Sequence, residues 1–192
     1  MFELFYHPIY TYGIDKRSRF PRDRYRLTKE ALDQLDVDIH FVRPRMAEIN
    51  DLYFAHDRAY VDSFLNGSLS IKERRKIGLQ PWNDQIIDRT RYIIGGSLGA
   101  LESAIASNGI AGNMAGGTHH AHYSEGSGYC IFNDLAICAK VARRNYERIN
   151  KVLIIDLDVH QGDGTASMLS NDHDFFTFSM HCDSNFPLKK MT

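Results

Sequence analysis

The chain has 192 residues, of which 43% are hydrophobic and 24% charged, and its formal net charge is −1. This length allows one domain with a sizeable core, and the near-neutral charge gives no broad electrostatic signal for binding nucleic acid. No apolar run approaches the roughly 20 residues that cross a bilayer, and the three cysteines lack the CxxC spacing of a thiolate zinc site or a disulfide framework. We therefore expect a cytoplasmic protein in a reducing compartment, with no membrane partner.

The first part of the chain predicts a strand, a helix and a second strand. Phe2–Tyr6 is typical of a short strand, and Asp36–Val42 alternates apolar and polar residues as a second strand does. Between them, Thr28 is predicted to cap a helix over Lys29–Leu35. The preceding segment, Arg17–Arg26, is charged and turn-rich and is expected to form a surface connection.

The middle of the chain predicts two helices. Tyr60–Leu65 favours a short helix closed by Asn66 and Gly67, and the basic run Lys72–Lys76 indicates a solvated helix end or loop more than a nucleic-acid contact. Gln85–Ser107 carries apolar residues at helical spacing, although a glycine pair interrupts it. Glycines inside a helix indicate close packing or a kink.

The last third predicts a helix and two buried strands. Asn133 or Asp134 can cap a helix running to about Arg148, and Lys151–Leu157 and Phe175–Met180 have the composition of buried strands. Because strands and helices alternate, without a repeat or a linker, the pattern favours one α/β domain with a largely parallel sheet. Ligand sites in such sheets lie beyond the carboxyl ends of the strands.

One strand end carries metal-ligating residue types. In the segment KVLIIDLDVHQGDG, residues 151–164, Asp156, Asp158 and His160 occupy alternating positions where the apolar run stops. In an extended chain these side chains share a face, so two of them could hold a divalent cation. Asp158 and His160 suit an oxygen and nitrogen site for zinc or another first-row ion, with Asp156 as a supporting carboxylate.

A second cluster lies in a glycine-rich loop. His119 and His120 are adjacent and follow Gly116 and Gly117. Both rings can address one substrate only if the backbone bends, which the glycines permit. Such a histidine pair can supply a general base and an electrostatic partner near neutral pH. His122, close by, is interpreted as a surface or packing residue.

At these residues the chain resembles the histone deacetylase superfamily, which includes acetoin-utilisation proteins and acetylpolyamine amidohydrolases. The matching motifs, in the family's order, are RFPRDRYRL at 19–27, IGLQPWND at 77–84, GGTHHAH at 116–122, SGYCIFND at 127–134, DLDVHQGDG at 156–164 and FSMH at 178–181. Gln161, where many members have a second histidine, is closer to the bacterial and class IV branches. The resemblance implies a three-layer arginase/deacetylase-like α/β fold, with residues 1–192 as the amino-terminal portion of a single domain that is incomplete at its C-terminus.

The resemblance also implies roles for individual residues. Asp158 and His160 correspond to two of the family's three metal ligands. The ion is expected to be Zn²⁺, Fe²⁺ or another divalent ion. His120 is expected to act as the general base and His119 as an electrostatic partner or proton donor. Asp156 is expected to orient His119, and Asp163 is expected to orient His120.

Two further subsites follow from the resemblance. Gly128 and Tyr129 match positions that line the tunnel for the acyl-lysine side chain, where the family commonly has phenylalanine in place of the tyrosine. A K⁺ site beneath the metal is expected at Asp156, Asp158, His160, Ser179 and Met180.

The implied function is zinc-dependent deacetylation of acetyl-lysine or a related acetylated amine by metal-activated water, with an acetylated protein, a polyamine or a small molecule as substrate. The family's third ligand, a downstream aspartate, and its oxyanion-binding tyrosine have no counterpart in this sequence. The alternative is therefore a truncated, non-catalytic product that at most binds metal, or a partner at an exposed sheet edge. A hydrolase of the arginase type would be expected to show more paired aspartates and to hold two metals, and the tandem histidines favour the deacetylase. The sequence does not predict an oligomeric state.

Overall fold

The computed structural model of the chain describes residues 2–191, and strands alternate with helices along them. The strands of this part of the chain are β1 (Phe2–Phe5), β2 (Ile39–Val42), β3 (Ala111–Asn113), β4 (Val152–Asp156) and β5 (Phe175–Ser179). The helices are α1 (Ile9–Tyr12), α2 (Arg24–Leu32), α3 (Ile49–Tyr53), α4 (Arg58–Leu65), α5 (Ile71–Ile77), α6 (Gln85–Ser107), α7 (Asp134–Asn145) and α8 (Asp163–Leu169). Across residues 2–191, no helix is long and apolar enough to cross a membrane.

All the paired strands are parallel, so the predicted α/β class is confirmed. β1 lies between β2 and β3, with Leu4 opposite Phe41, while β4 pairs with β5, with Ile154 opposite Thr177. Within residues 2–191 these strands form two hydrogen-bonded sheets and not the one sheet expected. β3 is short and contains Gly112, a residue that weakens a strand.

The start predicted for the helix between the first two strands is wrong. α2 begins at Arg24 and contains Thr28, which therefore does not cap it, and the last residues of the predicted connection Arg17–Arg26 are helical. The guanidinium of Arg24 lies over the rings of Phe20 and Tyr25, and Tyr25 is buried. Because these rings pack against the core, the helix begins at an earlier residue than the local sequence pattern predicts.

The long helix α6 has the predicted bounds and packs closely at its glycines. A Cβ at Gly95 would lie 1.9 Å from the carbonyl oxygen of Arg45, and one at Gly96 would lie 2.4 Å from the hydroxyl of Tyr10. Close packing is thus the reason for the glycine pair. This contact brings α6 against the short helix α1 and the sheet formed by β1, β2 and β3.

Two other helices carry predicted or recognisable caps. The Asn133 side chain accepts a hydrogen bond from the N–H of Ala136 and so caps α7, which ends at Asn145, short of the predicted Arg148. α5 takes up the basic run 72–76 and starts with a capping box between Ser70 and Glu73. The basic run is therefore helical.

β4 is buried on one face only, which corrects the prediction of a buried strand. Ile154 is 8% exposed, whereas Leu153 and Ile155 are 58% and 59% exposed, and Phe176 on β5 is 66% exposed. Val152 and Phe175 pack against the core beneath α7 and α8. We call the outward face of β4 and β5 the open face; its exposed apolar residues are Leu153, Ile155, Phe176 and Phe178.

Candidate active site

A cavity of about 730 Å³ lies beyond the carboxyl end of β4, where a parallel sheet is expected to place a ligand site. The residues predicted as the tandem histidines and the metal ligands all line it: His119, His120, Asp158 and His160. The structure therefore brings the two sequence motifs to one cavity.

The glycine-rich loop is bent as the sequence predicts. Gly116 and Gly117 have φ values of 126° and 64°, in the left-handed region that favours glycine. The carboxylate of Asp134, at the start of α7, accepts hydrogen bonds from the N–H groups of Gly117 at 3.2 Å and Thr118 at 2.8 Å. α7 thus holds the loop that presents the two histidines.

The first imidazole and carboxylate pair joins this loop to β4. His119 Nδ1 lies 2.6 Å from Asp156 Oδ2, and the other oxygen of Asp156 accepts the N–H of Asp158 at 3.1 Å. Burial opposes the positive charge on His119, but the hydrogen bond and the charge of Asp156 outweigh it, so the pKa of His119 is raised.

The second pair joins the loop to α8. His120 Nδ1 lies 2.7 Å from Asp163 Oδ1, at the first residue of α8. Burial alone would raise the pKa of Asp163, but hydrogen bonds from His120 and His122 hold it well below the usual range. The structure therefore places Asp156 on His119 and Asp163 on His120, the pairing that the family resemblance implies.

Asp158 and His160 form a more exposed pair. Asp158 Oδ1 accepts the N–H of His160 at 2.8 Å and lies 3.0 Å from its Nδ1. Burial would raise the pKa of Asp158, yet the His160 N–H and neighbouring imidazoles lower it. The side chain of Asp158 is 51% exposed and that of His160 36%.

Asp158 and His160 carry donor atoms of the types that hold divalent ions. Asp158 Oδ1 and His160 Nδ1 lie at a hydrogen-bonding distance of 3.0 Å, whereas adjacent ligands of a tetrahedral ion with bonds of about 2.0–2.1 Å lie roughly 3.4 Å apart. An ion held by both atoms would therefore replace this hydrogen bond. Within residues 2–191, no group of three or more His, Cys, Asp or Glu side chains has metal-binding geometry. Asp158 and His160 are therefore candidates for two ligands of a divalent ion.

The predicted tunnel residues lie at the wall of the cavity. Gly128 and Tyr129 have φ values of 54° and 66°, and a Cβ at Gly128 would lie 2.6 Å from His120 Cδ2. The rings of Tyr129 and Phe20 form a T-shaped contact with their centroids 5.3 Å apart, and those of Phe186 and His120 form another with centroids 4.8 Å apart. Sequence reasoning did not single out Phe20 or Phe186 as wall residues, because their approach to the site depends on long-range packing.

Four of the five residues expected at the K⁺ site are divided between two cavities. Asp156 and Ser179 line a smaller cavity of about 230 Å³, whereas Asp158 and His160 line the larger one. The Met180 N–H donates to the carbonyl oxygen of Asp156 at 3.0 Å. The structure thus brings Asp156, Ser179 and Met180 together at the ends of β4 and β5.

The α/β fold and the imidazole and carboxylate pairs at the end of β4 define a class of protein equipped for general acid–base chemistry in a cavity. Residues 18–192 match the histone deacetylase domain, and the chain belongs to the histone deacetylase family. The family resemblance stated from the motifs is confirmed.

The chain is similar to longer curated proteins. It is 40% identical over 191 residues to a Picosynechococcus sp. protein described as uncharacterized, covering 98% of this chain and 63% of that protein. It is 33% identical over 187 residues to the acetoin utilization protein AcuC of Staphylococcus aureus, and the match covers 91% of this chain and 47% of that protein. It is 31% identical over 164 residues to a probable deacetylase of Methanothermobacter thermautotrophicus, and the match covers 83% of this chain and 48% of that protein. The chain therefore spans between 47% and 63% of the length of these relatives.

Proposed function

We propose that this chain provides the acid–base half and two metal ligands of a deacetylase that hydrolyses acetyl-lysine or a related acetylated amine. The observation that carries the proposal is that two imidazole and carboxylate contacts, of 2.6 and 2.7 Å, border the same cavity as Asp158 and His160. The names of two relatives, an acetoin utilization protein and a probable deacetylase, support deacetylation.

His120 is proposed as the general base. Asp163 accepts a hydrogen bond from its Nδ1–H, which leaves Nε2 as the nitrogen able to take a proton in the cavity. His119, whose pKa is raised, is proposed as the positively charged partner or proton donor. Asp156 fixes the His119 ring in the same way that Asp163 fixes His120.

Asp158 and His160 are proposed to hold a divalent ion, and their oxygen and nitrogen donors suit Zn²⁺, with Fe²⁺ as an alternative. When bound, such an ion polarises a carbonyl group and lowers the pKa of water from 15.7 toward about 7. A K⁺ ion near Asp156 and Ser179 is proposed to offset the carboxylate charge.

The aromatic wall supports an alkyl amide as substrate. Phe20, Tyr129 and Phe186 border the histidines and offer apolar ring surface to a methylene chain. The chain of a lysine or a polyamine has this character, so an acetylated protein and an acetylated polyamine are the substrates to compare, together with a small acetylated molecule. Three free cysteines support a reducing, cytoplasmic location.

Metal binding is the first test. Calorimetric titration of the chain with Zn²⁺ is expected to show one site that Asp158→Ala and His160→Ala each weaken by at least tenfold. Asp183→Ala and His173→Ala remove the same side-chain types from exposed positions and serve as controls. Equal loss in the controls, or no loss in the site variants, would exclude these residues as ligands.

Hydrolysis is the second test. Release of acetate from an acetyl-lysine peptide and from N-acetylputrescine is measured with and without a chelator, and His120→Ala is expected to lower the rate about 10²- to 10⁴-fold. Zinc binding without hydrolysis would favour the alternative of a non-catalytic chain that binds metal or a partner. Hydrolysis that persists in the chelator would contradict the metal-dependent proposal.

A further inference from the structure

The imidazole of His122 bridges two side chains one turn apart on α8. Its Nδ1 lies 2.9 Å from Ser167 Oγ and its Nε2 lies 3.4 Å from Asp163 Oδ2. Residues four apart on a helix lie on the same face, so Asp163 and Ser167 can both reach one ring. His122 therefore contacts the same carboxylate that holds His120.

Counting hydrogens shows which nitrogen of His122 carries one. An ionised carboxylate oxygen only accepts hydrogen bonds, so the contact with Asp163 requires a hydrogen on Nε2. Ser167 can donate its hydroxyl hydrogen either to the ring at Nδ1 or to the carbonyl oxygen of Gly164, at 2.9 Å. Both arrangements of the hydroxyl leave the Nε2–H of His122 directed at Asp163.

The two carboxylates that orient the tandem histidines are fixed by different means. Asp156 gives one oxygen to His119 and the other to the backbone N–H of Asp158. Asp163 gives one oxygen to His120, and its other oxygen is contacted by His122. The second oxygen of Asp163 is thus held by the His122 side chain, whereas the second oxygen of Asp156 is held by the backbone N–H of Asp158.

The backbone holds His122 in this place. Its N–H donates to the carbonyl oxygen of Glu125 at 2.9 Å, and the Asn133 side chain donates to the carbonyl oxygen of Ala121 at 3.1 Å. A Cβ at Gly164 would lie 2.3 Å from that same Ala121 oxygen, so α8 packs directly against the loop. The ring is held between two elements and does not extend freely into solvent.

We propose that His122 is a positioning residue for the general base: its Nε2–H holds Asp163 Oδ2, which aligns Oδ1 to accept the Nδ1–H of His120. The neutral His120 ring then carries its hydrogen on Nδ1 and directs the lone pair of Nε2 toward the cavity. This inference rests on the proposed role of His120, and it gives a role to a residue to which the family resemblance assigns none. Ser167 sets the orientation of the His122 ring.

Histidine tautomers in the full chain test the proposal directly. Protein labelled with ¹⁵N-histidine is examined by long-range ¹H–¹⁵N correlation at about pH 8, where ordinary histidines are neutral. Wild type is expected to show a hydrogen on Nε2 of His122 and on Nδ1 of His120. His122→Phe removes the donor and is expected to give His120 a mixture of tautomers, while His119 keeps its hydrogen on Nδ1, toward Asp156.

Conservative variants separate positioning from bulk packing. His122→Gln keeps an N–H donor near the Nε2 position and is expected to retain the wild-type His120 spectrum, and His173→Phe controls for replacing an exposed histidine. A His120 spectrum that His122→Phe leaves unchanged would overturn the proposal. If His122→Phe does not fold, the wild-type spectrum decides, since a His122 ring with hydrogen on Nδ1 alone contradicts it.

Activity provides an independent readout. In acetyl-lysine hydrolysis, His122→Phe is expected to lower kcat about tenfold with KM unchanged, and His122→Gln to restore most of that loss. An equal loss in both variants would contradict a role for the donated hydrogen bond. A wild-type chain with no hydrolysis would instead refute the proposed function, while the tautomer spectra would still decide the role of His122.

Discussion

Replacing Gly162 with alanine tests how strongly the Asp156 and His119 pair depends on the space beside it. Gly162 precedes α8 with a φ of −74°, so alanine meets no left-handed strain there. The added Cβ would lie 2.3 Å from Asp156 Oδ2 and 3.3 Å from His119 Nδ1. The carboxylate must therefore move by about 1 Å to reach an ordinary van der Waals distance.

That movement breaks a short hydrogen bond between groups with little access to water. The Asp156 and His119 side chains are 10% and 7% exposed, and their contact is 2.6 Å. Hydrogen bonds to charged groups contribute about 1.5–3 kcal/mol, so we expect Gly162→Ala to lower the free energy of unfolding by about 2 kcal/mol. The rate of the proposed hydrolysis should fall as well, because the His119 ring loses its fixed orientation.

Urea unfolding and the His119 ring resonances measure these effects. Gly109→Ala is the matched control, because its Cβ would approach atoms of Ser107, the nearest being the hydroxyl oxygen at 3.1 Å, and it is far from the paired groups in sequence. A Gly162→Ala protein with wild-type stability and unchanged His119 resonances would refute the reasoning, since the pair would then tolerate the displacement.

Three other changes probe the frame around the site. Burial lowers the pKa of His56 to about 4, so the unfolded state binds a proton at this residue more tightly than the folded state does. The free energy of unfolding should therefore fall by up to about 3 kcal/mol as the pH is lowered from ~6.5 to ~4. In urea unfolding, the stability of His56→Gln should depend less on pH, and an equal pH dependence would contradict this. Asn133→Ala removes the α7 cap and the side-chain N–H donor to Ala121 and Thr165, so the free energy of unfolding should fall by about 3 kcal/mol. A fall of less than about 1 kcal/mol in urea unfolding would contradict this. Ile155→Ser should change stability by less than about 0.5 kcal/mol and reduce self-association in light scattering, because the open face is solvent-exposed; marked unfolding would show that the face is packed.

Local signals in the sequence predicted the elements whose pattern is long or chemically distinctive. α6 has the predicted bounds because its apolar spacing extends over several turns, and Asn133 caps α7 because its side chain reaches the free N–H groups of the first turn. The tandem histidines and the strand-end carboxylates were found from residue type and spacing alone. The geometry then placed them at one cavity.

Contacts between distant segments explain what the sequence could not predict. The Thr28 side chain could cap a helix, yet α2 begins before it, at Arg24, because burial of Tyr25 stabilises the earlier turn. Phe186 reaches the site from a segment without a regular pattern. His122 was interpreted as a surface or packing residue, because its contacts with Asp163 and Ser167 arise only when α8 packs on the loop.

The exposure of the site residues separates two kinds of chemistry. The side chains of His119 and His120 are 7% and 5% exposed, whereas those of Asp158 and His160 are 51% and 36% exposed. Proton transfer benefits from fixed rings in a poorly hydrated setting, because hydrogen bonds are stronger there and their geometry is preorganised. A metal ion arrives hydrated and exchanges water for protein donors, which requires donors that solvent can reach. The buried pairs are therefore suited to the proton transfer proposed for them, and the exposed pair to the metal binding proposed for it.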